Sequence, residues 1–405
     1  MINKNFFLKD NIKLKYFKTG LTNRLSKKFT KIFIDINSDV KNDKKTLNVL
    51  DNKFQFNFKI TDLNKFNKFR TIAIIGMGGS ILGAEAIYNF LKIKIKKRVY
   101  FFNDLDENKI KDFKRKEKNS KVLFIIISKS GNTIETLSNT FLLKAVKRNA
   151  KNVIVISEKK KNFLYTLSKK LNLFHVEHKK SIGGRYSVLS EVGLIPAYLM
   201  GINILKLRSN IFSCTKKINK LFIKNHTLKL ANIINSKKTN NLIFLNYSPE
   251  LKKFLFWCQQ LIAESLGKKN LGFLPVISNV PKDHHSLLQL YLDGPKDKLF
   301  NIFSFDTKPS EKININYSND LKSFLHQKKL SKVKNAQKNS LIKSFIKKGI
   351  PFREFKIKKI NEEVLGELFS LFIIETIVVG KLLNINPFDQ PAVEEIKINT
   401  EKLLK

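Results

Sequence analysis

Ile74 to Gly83, reading IIGMGGSILG, restricts the fold of this chain more than any other stretch. Thr71–Ile75 has the unbroken apolar character of a buried strand and ends abruptly at Gly76, Gly78 and Gly79. The apolar-periodic segment ILGAEAIYNFL comes next and predicts a helix. A second apolar strand, Lys121–Ile127, runs into ISKSGNT, with Ser128, Ser130, Asn132 and Thr133 as compact hydroxyl and amide donors. Backbone N–H groups at such turns and at the helix N-termini behind them attract anions. Close packing of a turn would account equally well for the first loop alone. The pair points to one pocket for a phosphorylated small molecule. The spacing GxGGS is not the dinucleotide pattern GxGxxG, and the GK[ST] ending of a triphosphate loop is absent.

The same alternation continues along the chain. Strands are predicted at Arg98–Phe102, Asn152–Ile156 and Phe174–Glu177, with helices between them, one of them reaching about Arg148. Asn103-Asp104 reads as the cap region of the helix after the second strand. This order gives a parallel sheet covered by helices, with ligands beyond the carboxyl ends of its strands. A second α/β unit is predicted from strands Asn241–Asn246, Gly272–Val276 and Leu299–Phe305, with helices at Pro249–Leu266 and His284–Tyr291. Phe352–Ile360 reads as an edge strand, Glu362–Leu383 as a long apolar helix, and a last helix begins near Asp389. The predicted division is an N-terminal extension over 1–65, α/β domains over 66–205 and 206–360, and C-terminal helices over 361–405 that pack across them.

Charge at first suggests a different answer. Lys+Arg 77 against Asp+Glu 33 gives +44, which would suit a nucleic-acid partner. The lysines are spread along the chain beside many Asn, Ile and Phe, as a drift toward AT-rich codons would leave them. No concentrated basic patch with interleaved aromatics stands out, so nucleic acid is not the expected partner. Cys214 and Cys258 lie in apolar periodic segments, read as buried small hydrophobes, and suit neither a disulfide framework nor a metal site. The start MINKNFFLKDN is too polar for a signal peptide, and the long helix carries Glu367, Glu375 and Lys381. A cytoplasmic protein without a membrane partner is expected.

Five residues stand out as candidates for chemistry. Glu264 lies in the small, apolar stretch LIAES, four residues after Gln260 on the same helix face. It is either a partly exposed carboxylate paired with Lys268 or a base whose partial burial favours proton abstraction. His284 and His285 open a helix, as caps or as proton shuttles. Arg185 is presented on the glycine turn GGRYS, either as a surface cation or facing a developing oxyanion. Lys397 comes after the turn NPFDQP and shares a face with Val393 and Glu394; it is also one lysine among many.

Assembled, these stretches closely resemble the glucose-6-phosphate isomerase family. IGMGGSILG, ISKSGNTIET, GGRYSVLS, QQLIAESLGK, KDHHSLLQLYLDG and NPFDQPAVEEIK occur in family order over about residues 70 to 400. The resemblance implies two sugar-isomerase-type αβα sandwich domains with parallel sheets and a C-terminal helical arm. It implies interconversion of glucose 6-phosphate and fructose 6-phosphate through a cis-enediol(ate), with no cofactor and no metal. Glu264 would be the base, Arg185 the stabiliser of the oxyanion, and His285 the aid to ring opening, contributed across a homodimer interface. Lys397 would contact the ring oxygen or O1 region. Ser128, Ser130 and Thr133, with the substrate-binding Lys129 and Asn132 nearby, would form the phosphate cradle, Gly79 and Ser80 would line the sugar, and Gln260 and Gln390 would face the substrate. The chain departs from the pattern at Ala392, where the family usually carries glycine; this could shift the last helix and loosen Lys397. Another sugar-phosphate isomerase, one that also takes mannose 6-phosphate, or a sugar-phosphate-binding regulator would share the serine-rich loop. A regulator would have no reason to keep Glu264, His285 and Lys397 together.

Overall fold

The computed structural model describes residues 5–12, 19–211, 217–306, 310–315 and 323–404. Two five-stranded sheets organise it. The first has the order β3-β2-β4-β5-β6, from β2 (Thr71–Gly76), β3 (Arg98–Phe102), β4 (Val122–Ile127), β5 (Val153–Ser157) and β6 (Phe174–Glu177), all parallel. Parallel strands joined by crossover helices are covered on both faces, so β2 and β4 are buried at every position. Ile72, Ile74, Leu123 and Ile125 face a large central core. Ala73, Ile75, Phe124 and Ile126 face a smaller outer one. The helix after ISKSGNT stops at Leu142, short of Arg148, and Lys144 just beyond it takes a left-handed backbone. The cap of the helix after β3 is Asp106, which accepts from the Lys109 N–H, rather than Asn103 or Asp104.

The second sheet has the order β1-β10-β9-β7-β8. Strands β7 (Asn241–Asn246), β8 (Leu274–Asn279), β9 (Lys298–Phe305) and β10 (Phe352–Ile357) are parallel, and β1 (Phe6–Asp10) joins β10 antiparallel. The expected edge strand near Phe352–Ile360 is therefore an inner strand. The first residues of the chain supply the edge instead, and Asn11 fixes their end by bonding the Ile350 carbonyl and the Phe352 N–H. Two short chain-remote runs with no turn between them carry no local pairing signal, so only the folded chain shows that they meet.

Both sheets face one central core. Phe303 and Phe355 of the second sheet and the helix Glu362–Leu382 belong to the same cluster as Ile74 and Ile125. Two carboxylates within that helix are matched: Glu375 takes a bidentate bond from Arg353 at 2.6 and 3.0 Å, and Asn5 donates to Glu367 at 3.0 Å. Cys258 is buried among apolar side chains, and burial pushes its thiol well above the usual value. Cys214 lies outside the described residues. Of the two C-terminal helices, Glu362–Leu382 is buried along nearly its whole length in the central core. Every residue from Pro391 to Leu404, including the helix Glu394–Leu403, is exposed. Among the described residues, no helix is long and apolar enough to cross a membrane.

Candidate active site

The two glycine- and serine-rich turns leave adjacent strands at the same level, because Gly76 pairs in register with Ile127. Helix Leu82–Leu91, directly after the first turn, packs against helix Lys252–Leu266 of the second half. This brings three loops and one helix together. Gly78 has φ +50°, and a Cβ there would lie 2.7 Å from Gln260 Nε2. A Cβ on Gly79 would lie 2.2 Å from the Gly184 carbonyl carbon, closer than any side chain permits. Ser187 Oγ donates to the Gly184 carbonyl at 2.7 Å and keeps that turn closed.

Arg185 sits at the centre of this junction and is 4% exposed. Its Nε–H donates to Ser265 Oγ at 2.8 Å. Nη1 donates to Glu264 Oε2 at 3.1 Å and Gln390 Oε1 at 2.7 Å. Nη2 donates to the carbonyls of Pro387 at 2.6 Å and Asp389 at 2.9 Å. A guanidinium has five N–H donors, and all five have partners here. Gln260 Nε2 donates to the other Glu264 oxygen at 2.9 Å, while Gln260 Oε1 is buried without a partner. Glu264 is thus engaged by Arg185 rather than Lys268, and its side chain keeps 29% exposure. Lys268 instead grips the C-terminal segment, at Asp389 Oδ1 (2.7 Å) and at the carbonyls of Asn386 (2.5 Å) and Asp389 (2.7 Å). That bond, together with the lysine charge, holds the Asp389 carboxyl below its usual range despite some burial. A cavity of about 1000 Å³ opens beside Glu264, lined also by Lys268, Asn386, Asp389, Gln390 and Val393.

Ser128 Oγ and Thr133 Oγ1 lie 2.8 Å apart at the start of helix Ile134–Leu142, and Ser130 is exposed next to them. Asn132 Oδ1 accepts from the Phe163 N–H at 2.9 Å, and Asn162 caps the helix Phe163–Lys170. Ser80 ends the first turn, half-buried. Lys129 does not turn toward Ser128; its ammonium donates to the Lys180 and Ile182 carbonyls at 2.8 Å each.

The structure therefore gathers Gly79, Arg185, Gln260, Glu264 and Gln390, with the Ser128–Thr133 turn on the next strand. His285 is exposed in the first turn of helix His284–Asp293. His284 faces inward, 3.1 Å from the Tyr247 hydroxyl. Burial, then repulsion from His285, lowers its pKa. Lys397 is exposed and paired with Glu394 at 2.6 Å; Ala392 is exposed in the turn Pro391–Val393. Ser265 and Tyr186 were not foreseen. Both are fully buried, their hydroxyls lie 2.8 Å apart, and Tyr186 donates to the Pro387 carbonyl at 2.7 Å. The only sequence signal for either is its position next to Glu264 or Arg185.

A family model described as phosphoglucose isomerase matches residues 24–276. The chain belongs to that family. A relative described as a probable glucose-6-phosphate isomerase from Methanococcus maripaludis is 36% identical over 83% of this chain and 79% of its own. The glucose-6-phosphate isomerase of Methanocaldococcus jannaschii is 32% identical over 84% of this chain and 85% of its own. Among solved structures, a hypothetical protein from Thermus thermophilus covers 98% of this chain and 100% of its own at TM-score 0.80 and 23% identity. A Chlamydia trachomatis glucose-6-phosphate isomerase covers 85% of this chain and 71% of its own at TM-score 0.69 and 20% identity. These structures share the family's fold: two parallel-sheet α/β cores and a helical C-terminal region.

Proposed function

We infer that this chain is a glucose-6-phosphate isomerase that interconverts the aldose and ketose phosphates in glycolysis and gluconeogenesis. The observation that carries this reading is the carboxylate of Glu264, clamped by Arg185 and Gln260 beside a cavity in a member of the family. Aldose–ketose isomerisation needs a base in reach of C1 and C2, stabilisation of a developing oxyanion and an anchor for the phosphate. In the open-chain aldose, Glu264 removes the C2 proton. The electron pair forms the C1–C2 double bond and the C1 carbonyl becomes an enediol(ate) oxygen. The O2 proton passes to O1, so that O1 becomes a hydroxyl as the C2 carbonyl forms, and Glu264 returns the hydrogen to C1.

Arg185 has no free donor, so a substrate oxygen reaches Nη1 by taking the place of Gln390 Oε1. Ser128, Ser130 and Thr133 supply hydroxyls to the phosphate. Asn132 shapes their turn by bonding Phe163. Gly79 and Ser80 line the sugar, with Gln260 beside C1 and C2. Lys397 approaches the ring oxygen or O1 when the exposed terminal helix folds over the cavity. His285, exposed in the isolated chain, opens the sugar ring in the site of a second copy of this chain. The protein acts in the cytoplasm as a homodimer.

The test is a coupled assay that converts fructose 6-phosphate to glucose 6-phosphate. Turnover is expected, and its absence in folded protein would sink the reading. Mixing Glu264→Gln and His285→Ala protein should restore about a quarter of the native activity, because each mixed two-fold dimer holds one intact site. No restoration would refute the shared site.

A further inference from the structure

We propose that Lys129 is a positioning residue for the Arg185 turn and not a ligand of the substrate phosphate, an inference that rests on the isomerase reading above. Lys129 lies in the serine-rich turn, at a place where a cation would be expected to meet an anion. Its ammonium instead reaches the segment that leads into the Arg185 turn. Two of its N–H groups donate to the carbonyls of Lys180 and Ile182, each at 2.8 Å and more than fifty residues away in sequence. The Glu158 carboxylate lies 3.8 Å from Lys129 Nζ and is also paired with Lys160 at 2.6 Å. The carbonyl between the two held by Lys129, that of Ser181, accepts from Thr46 Oγ1 at 2.6 Å. Ser181 Oγ in turn donates to the Asp43 carbonyl at 3.2 Å. Three consecutive carbonyls, 180 to 182, are thereby fixed by side chains from two other loops.

Gly183, Gly184 and Arg185 come directly after that fixed segment. Gly184 has no freedom toward the first glycine turn, because Gly79 is packed against its carbonyl. The approach to Arg185 is therefore set from both ends, by Lys129 behind and by Gly79 in front. Amide bonds within the turn, from Ile182 to the Lys179 carbonyl at 3.1 Å and from Tyr186 to the Gly183 carbonyl at 3.0 Å, depend on that path. Lys129 acts through Arg185, and the hydroxyls of Ser128, Ser130 and Thr133 remain to hold the phosphate. The serine-rich loop and the arginine that faces Glu264 are mechanically one unit.

Lys129→Met and Lys129→Arg separate the two roles by kcat, by inhibition with inorganic phosphate, and by amide hydrogen exchange over 180–186. In Lys129→Met, kcat should fall about tenfold to a hundredfold, the cost of a slightly misplaced catalytic group. The inhibition constant for inorganic phosphate should stay within about twofold, because no direct charge-assisted contact is lost. Exchange at Ile182 and Tyr186 should accelerate, and Lys129→Arg should restore both protection and turnover. A phosphate constant raised about tenfold, with kcat and exchange unchanged, is the signature of a lost charge-assisted ligand and would overturn the proposal. The exchange measurement needs no activity. If the native protein proved inactive, the isomerase reading would fall, while unchanged exchange in Lys129→Met would separately refute the clamp. Should Lys129→Met not fold, Lys129→Arg decides. Native exchange, kcat and phosphate constant together support the clamp, and a weakened phosphate constant with native kcat overturns it.

Discussion

Replacing Glu264 by glutamine tests the chemistry while leaving the architecture almost untouched. The amide oxygen of Glu264→Gln can still accept from Arg185 Nη1. The new amide nitrogen would face the Gln260 amide, donor to donor, but Gln260 Oε1 is buried and unpaired, so rotating the Gln260 amide by half a turn restores a bond. The stability lost is then the charge assistance of one bond, about 1–3 kcal/mol, and Glu264 is partly exposed, which favours the low end. Removing a general base costs roughly 10²–10⁴ in rate, or about 3–5 kcal/mol of barrier. The coupled assay should therefore show a kcat at least about a hundredfold lower with KM little changed, and exchange of the C2 hydrogen with solvent deuterium should stop. Thermal unfolding should move by only a few degrees. A folded variant that kept kcat within about tenfold of the native value would refute the assignment of the base.

The same geometry sets three further outcomes. Ser265→Ala strands the buried Arg185 Nε–H and takes one partner from Tyr186, so unfolding in urea should show a loss of about 1–3 kcal/mol and kcat should fall with it; a native kcat would show that the guanidinium keeps its place without Ser265. Gly79→Ala places a methyl 2.2 Å from the Gly184 carbonyl carbon, so stability should drop by about 1–3 kcal/mol and activity should fall further than Ser80→Ala reduces it; equal activities would show that the two turns are not in contact. Burial, helped by the Lys129 charge, lowers the His178 pKa from 6.5 to about 4. The folded protein keeps that imidazole neutral while the unfolded chain takes up a proton, so its contribution is full above pH 6.5 and is lost as the pH falls toward 4. Urea midpoints at pH 7 and pH 5 should differ, by on the order of 1.4 kcal/mol per unit of pH below 6.5 for this one group, and His178→Gln should narrow that difference.

The sequence by itself determined the two parallel-sheet cores, because buried strands such as TIAII and VLFIII need no context to be recognised and their glycine- and serine-rich turns have few other uses. It also marked Glu264 and Arg185, since a carboxylate in LIAES and an arginine on a glycine turn are chemically out of place in an ordinary core. Tertiary structure decided what those residues touch. Nothing local to Glu264 says that its partner is Arg185 and not Lys268, seventy-nine and four residues away respectively. Nothing in FFLKD says that it will pair with FREFKI, because backbone hydrogen bonds between distant segments have no sequence signature. Lys129 shows the same limit most clearly. Its type and setting in a phosphate-like turn point to an anion, whereas its length allows it to reach past the turn to two carbonyls that only the fold brings within 2.8 Å. Side-chain chemistry is written residue by residue, but partners are chosen by distances that exist only once the chain has closed on itself.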